Sequence, residues 1–134
     1  MKNLVDLKVT QLKTIRSIIP MNFTITRQNL HKGLAAVSAS IPSKTTLPVL
    51  SNILFEASED GVWMSGTDLD VAVRVKVLAD VKTSGSLTAP GKKLQEITRE
   101  LPDQPVEITT RGDQIELVCG ASQFKLNGLP ADEF

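Results

Sequence analysis

Lys44-Thr45-Thr46-Leu47-Pro48-Val49-Leu50-Ser51-Asn52-Ile53-Leu54-Phe55 and, one hairpin later, Ser65-Gly66-Thr67-Asp68-Leu69-Asp70 decide the fold of this chain. Ile53 to Ala57 and Val62 to Ser65 read as two strands joined at Glu59-Asp60-Gly61, a combination that turns a chain back on itself. Gly66 supplies backbone freedom and Asp68 an Asx-type side-chain acceptor, so Gly66 to Asp70 reads as a second turn. Beyond it Val71, Val73, Val75 and Val77 recur at period two, with Asp70, Ala72, Arg74 and Lys76 facing the other way.

Working outward, Phe23 and Ile25 share one side of a short strand, and Thr26 is placed to cap a helix. Leu30, Leu34 and Val37 recur at i, i+4 and i+7 as its buried stripe, and Ile41-Pro42 ends it. Its opposite face, Gln28, Lys32, Ala35 and Ala39, is small, polar and basic. After the valine strand, a loop from Ala79 to Gly85 leads to a strand over Ser86 to Ala89. Pro90-Gly91 then opens a second helix, with Leu94, Ile97 and Leu101 inward and Lys92, Glu96 and Arg99 outward. Val106 to Thr109, Gln114 to Cys119 and Ser122 to Asn127 complete the pattern as strands, the last two turning at Arg111-Gly112-Asp113 and beyond Cys119. The order is strand, helix and three strands, repeated once. Hairpin-linked strands favour antiparallel sheets, and two amphipathic helices laid on one side of them give an α+β fold.

A composition of 41% hydrophobic and 22% charged residues over 134 positions suits a single globular domain. Formal net charge is zero, yet residues 1–20 carry +3 and residues 21–134 carry −3. Bulk charge therefore cannot hold a nucleic acid, and any such binding needs a locally basic face. The lone cysteine, Cys119, excludes an internal disulfide, and its period-two spacing from Ile115 and Leu117 marks it as a small buried strand residue. His31 is the sole histidine, so no nucleophile-base pair can be assembled without it, and no catalytic residue is assigned. Asp68 and Asp70 lack the third ligand and closing glutamate of a calcium loop, so no metal or cofactor is expected.

Leu4, Leu7, Leu12, Ile15, Ile18 and Ile19 fall on one half of a helical wheel, opposite Lys2, Lys13 and Arg16. No apolar run there matches a signal peptide or a membrane span. The expectation is an extension over residues 1–20, upstream sequence read as coding, with the domain occupying 21–134 from a native start at Met21.

From Met21 to Phe134 the chain resembles the first domain of the bacterial DNA polymerase III β subunit, the sliding clamp family. Its motifs are a basic loop followed by Thr-Leu-Pro-Val-Leu, a strand, and Thr67-Asp68-Leu69-Asp70 at the start of the next, in order between Met-Asn-Phe-Thr-Ile and Leu129-Pro130-Ala131-Asp132-Glu133-Phe134. The resemblance implies the DNA clamp fold, in which domains built from this repeated unit form a ring with helices lining its hole. It implies a cytoplasmic, non-catalytic processivity factor that encircles duplex DNA without reading its sequence and tethers the replicative polymerase. Polymerase and clamp loader would be held by domains that this chain lacks, and no membrane is involved.

On that reading Lys32, Lys92 and Arg99 face the duplex, with Arg27 at the helix edge and Lys44 on the loop beyond, where the family commonly carries a basic DNA contact. Cations on phosphates, without aromatic interleaving or a recognition helix, give salt-sensitive and sequence-independent binding. Glu96, at i+4 from Lys92 and i−3 from Arg99, would partly neutralise both. The family's head-to-tail homodimer would use Ser122 to Asn127, with Gln123, Phe124 and Leu126, plus Lys93. Ala121 and Gln123 stand where basic residues often sit, which favours apolar packing over ion pairing there. The alternative is a stand-alone interaction module that pairs through an exposed sheet edge.

Overall fold

A computed structural model describes residues 20–42 and 48–134. The elements in chain order are β1 (Asn22–Ile25), α1 (Arg27–Ser38), a 3-10 turn (Pro48–Ser51), β2 (Asn52–Ser58), β3 (Gly61–Thr67), β4 (Ala72–Val77), β5 (Asp80–Thr83), β6 (Gly85–Pro90), α2 (Gly91–Glu100), β7 (Val106–Arg111), β8 (Gln114–Cys119), β9 (Ser122–Asn127) and a closing 3-10 turn (Ala131–Glu133). Thr26 caps α1 as its sequence demands, its hydroxyl accepting from the Asn29 amide at 3.1 Å. The expectation for residues 1–20 falls almost wholly outside the described residues, as does Lys44.

Every strand pairing is antiparallel, in two sheets of order β5-β1-β7-β8-β9 and β4-β3-β2-β6. The repeated unit is thereby interlocked. β1, which opens the first half, pairs with β7 of the second, and β6, which opens the second, pairs with β2 of the first. Neither half holds a complete sheet of its own.

Three expectations are corrected. Residues 79–85 are not all loop, because Asp80–Thr83 forms β5 along the flank of β1. Four residues with one large apolar side chain, Val81, are too few to show a period, and this strand owes its existence to the open backbone of its neighbour. Helix α1 stops at Ser38, ahead of Ile41-Pro42, because Ser40 sends both its amide and its hydroxyl back to the Val37 carbonyl, at 3.1 and 2.8 Å. Val71 does not join the valine stripe inside β4. Its amide and carbonyl serve the preceding turn, and its side chain is 57% exposed.

One core unites the two sheets and both helices. Phe23 and Ile25 of β1, Leu30, Leu34 and Val37 of α1, Phe55 and Met64 of the second sheet, Leu94 of α2, and Ile108, Ile115 and Leu117 are all buried within it. Cys119 is buried there too, on the inward side of β8. Burial of this kind contributes about 1.5–3 kcal/mol for each large apolar side chain. Helix α1 lies close on the second sheet because Gly33 has no side chain. A Cβ at that position would collide with the Met64 sulfur and stand 3.2 Å from Val77 Cγ1.

Candidate nucleic-acid interface

The apolar stripes that bury α1 and α2 leave their other faces to solvent. On α1 the exposed residues are Gln28, His31, Lys32, Ala35 and Ala36, and the helix contains no acid at all. On α2 they are Lys92, Lys93, Glu96, Arg99 and Glu100. The structure departs from the expected neutralisation in one respect. Glu96 pairs with Lys93 at 3.7 Å, an i,i+3 contact between two well-exposed side chains, rather than with Lys92 or Arg99. Among the described residues Lys32, Lys92 and Arg99 make no ion pair. They remain cations facing water, the state that a phosphate contact requires.

Arg27 behaves differently. It is half-buried in the first turn of α1, and its guanidinium donates from Nε to the Thr98 carbonyl at 3.1 Å and from Nη2 to the Arg99 carbonyl at 3.3 Å. Both acceptors belong to the last turn of α2, where carbonyls lack the usual amide four residues on. Nothing in the local sequence announces this contact, because 71 residues separate Arg27 from Thr98.

Gly66 does not open the turn as expected, because it and Thr67 are still paired within β3, opposite Val73 and Ala72, and the turn that follows is built from its own polar groups. Asp68 Oδ1 accepts from the amides of Asp70 and Val71 at 2.9 and 2.8 Å, while Thr67 Oγ1 accepts from the Leu69 amide and donates to the Val71 carbonyl. The amides of Val71 and Asp70 hold the Asp68 carboxyl below its ordinary value. A carboxylate occupied in this way closes a turn, and Leu69 takes the positive φ of 79° at its tip. No group of three His, Cys, Asp or Glu side chains gathers as for a metal among the described residues.

Sequence reasoning also missed the cluster on the outer face of the second sheet. Arg74 lies 4.0 Å from the centre of the Trp63 ring and 3.7 Å from Glu56, with Lys76 Nζ 5.9 Å from the same ring. Strand register alone brings these residues together, since Trp63 stands opposite both Glu56 and Lys76.

Among the described residues strand β9 is the last strand of its sheet, and one of its flanks has no partner strand. A two-residue link, Gly120-Ala121, joins it to β8 with Cys119 opposite Ser122, Leu117 opposite Phe124 and Ile115 opposite Leu126. Phe124 and Leu126 are half-buried against the core on the inward side, whereas Gln123, Lys125 and Asn127 are exposed. Gln123 donates to Glu116 Oε1 at 2.7 Å on the outer face. Beyond β9 the chain is tied down, for the amides of Thr88 and Leu129 exchange hydrogen bonds with each other's carbonyls. Lys93, the remaining expected interface residue, sits on α2. Among the described residues no helix is long and apolar enough to cross a membrane.

With this geometry in place, comparison with known proteins gives a consistent result. Residues 21–134 match the family model described as the DNA polymerase III beta subunit, N-terminal domain. The chain is 36% identical over 114 residues to the beta sliding clamp of Streptomyces coelicolor, covering 85% of this chain and 30% of that protein. It is 40% identical over 117 residues to the beta sliding clamp of Caulobacter vibrioides, covering 85% and 32%. Among solved structures, the DNA polymerase sliding clamp from Caulobacter crescentus superimposes with a TM-score of 0.82 at 38% identity, over 85% of this chain and 32% of that one. The chain thus spans about a third of the length of these relatives.

Proposed function

This chain belongs to the family of the DNA polymerase III beta subunit, whose N-terminal domain it carries over residues 21–134, and from that premise we propose that it serves as the first domain of a sliding clamp. The clamp encircles duplex DNA, holds the replicative polymerase to its template, and does no chemistry itself. The observation that carries this reading is the match across every described strand and helix from Met21 onward, at more than a third identity to proteins named as clamps.

In this reading Lys32, Lys92 and Arg99 contact phosphates from the two helix faces, joined by Lys44 from the segment between α1 and β2, while Arg27 stands beside them at the helix edge with its guanidinium turned to the α2 carbonyls. Contacts of this type exchange readily from one phosphate to the next, so the domain can slide while ring closure keeps it on the duplex. Strand β9, with Gln123, Phe124 and Leu126, and Lys93 on α2 form the head-to-tail contact with a second subunit. Polymerase and loader engage the remainder of the clamp, and the site of action is the cytoplasm, at replication forks.

The test is a fluorescence titration of two duplexes of unrelated sequence at low and moderate salt. Weak binding, equal for the two sequences and falling steeply as salt rises, is expected. Tight, salt-resistant or sequence-selective binding would overturn the sliding role.

A further inference from the structure

Arg27 pairs two helix ends. It stands at the first position of α1, where a cation opposes that helix's own dipole and no acid of the first turn compensates. What offsets this is on the other helix: Nε and Nη2 reach the Thr98 and Arg99 carbonyls of α2, at 3.1 and 3.3 Å. Helix α2 needs such a partner. It has no glycine at its C-terminal end, Leu101 is already extended with φ −73° and ψ 145°, and Pro102 follows. The one backbone cap there is the Leu101 amide on the Thr98 carbonyl, at a long 3.3 Å. The Thr98 hydroxyl is no help, since it turns back to the Leu94 carbonyl at 2.6 Å.

We infer that Arg27 is a positioning residue, whose fork holds the start of α1 against the end of α2 and so fixes the spacing between Lys32 on one helix and Arg99 on the other. The inference rests on the DNA-facing reading of those two cations. It gives Arg27 a role distinct from neutralising a phosphate, because the groups that fix its guanidinium are carbonyls of α2. The geometry of the fork is what counts. A lysine keeps the charge but has a single nitrogen, which cannot serve two carbonyls in the same way.

The experiment compares the full chain with Arg27→Lys, Arg27→Gln and Lys32→Gln, using duplex binding across a salt series together with amide exchange at residues 98–101. Both Arg27 variants are expected to bind duplex roughly two- to tenfold more weakly, the equilibrium factor that one net hydrogen bond of the fork is worth. Both should also exchange faster at Thr98 to Leu101, with the rest of the fold protected. Lys32→Gln should instead reduce the salt slope by roughly 0.9, the loss of one phosphate contact, without changing exchange in α2. If Arg27→Lys binds like the parent chain while Arg27→Gln loses that slope, Arg27 is a phosphate contact and the inference fails. Unchanged exchange at residues 98–101 in both Arg27 variants would overturn it as well. A parent chain with no salt-sensitive binding would instead sink the DNA-facing reading, and the exchange arm would still report whether the fork holds the helix end.

Discussion

Asp68 shows what a single side chain settles in this fold. Its carboxylate accepts two amides, from Asp70 and Val71, and those bonds hold its pKa down. A lowered folded pKa means that the carboxylate stabilises the turn at pH values above its unfolded pKa of about 4 and loses that contribution as pH falls through the lower folded value. Asp68→Ala should therefore melt below the parent chain at neutral pH, with the gap narrowing in acid. Asp68→Asn, which keeps an acceptor oxygen without the charge, should fall between them. Thermal melts at neutral pH and at roughly pH 2.5 read this directly, and a gap that stayed constant would show that the charge contributes nothing. The role of Asp68 was legible in the sequence because the partners of an Asx turn are two and three residues away. That of Arg27 was not, since its acceptors are set by how two helices meet.

At the scale of elements, periodicity did most of the work. Both helices and the strands with at least three alternating apolar positions exist where the pattern puts their buried stripes, because burial on one face enforces the period, although the end of α1 and the start of β4 were set by local hydrogen bonds instead. β5 escaped for want of length. The edge position of β9 was expected from the resemblance and is now visible in the strand order, but its two apolar residues face inward, which changes how the edge should be tested. With Cys119 and Ser122 closing the link, the backbone groups of Ser122, Phe124 and Leu126 face β8, and those of Gln123, Lys125 and Asn127 face the open side. Leu126→Lys would injure the core. Lys125→Pro removes an outward amide without breaking the β8 ladder, and should abolish concentration-dependent self-association while the melting temperature moves by a few degrees at most. Light scattering on the parent chain supplies the control. A strictly monomeric parent at high concentration would mean that this edge is already protected, and the proposed interface strand would be wrong.

The whole molecule depends on a property that the duplicated pattern did not reveal: each half lends its first strand to the other. Repetition in a sequence says that two units share a plan, but it does not say which unit a strand pairs with, since β1 and β6 present similar alternation to either partner. The exchange makes the halves interdependent. Residues 85–134 hold β6, α2, β7, β8 and β9, yet Ile108, Ile115 and Leu117 share one buried core with Phe23, Leu30, Leu34 and Phe55 from the first half. At 50 residues that piece also falls in the size range where one apolar core is marginal without a disulfide or metal. The first half alone would leave β1 without β7 and β2 without β6. A chain cut between the exposed Ser84 and Gly85 is therefore expected to give two fragments that are each largely unfolded by far-ultraviolet circular dichroism. Mixed in equal amounts, they should recover the spectrum and a cooperative melt, with a midpoint that rises with concentration because folding is now bimolecular. Independent folding of residues 85–134, with native exchange protection in β7 and β8, would show that the interlocked strands are an addition to two self-sufficient halves rather than the reason they form one domain.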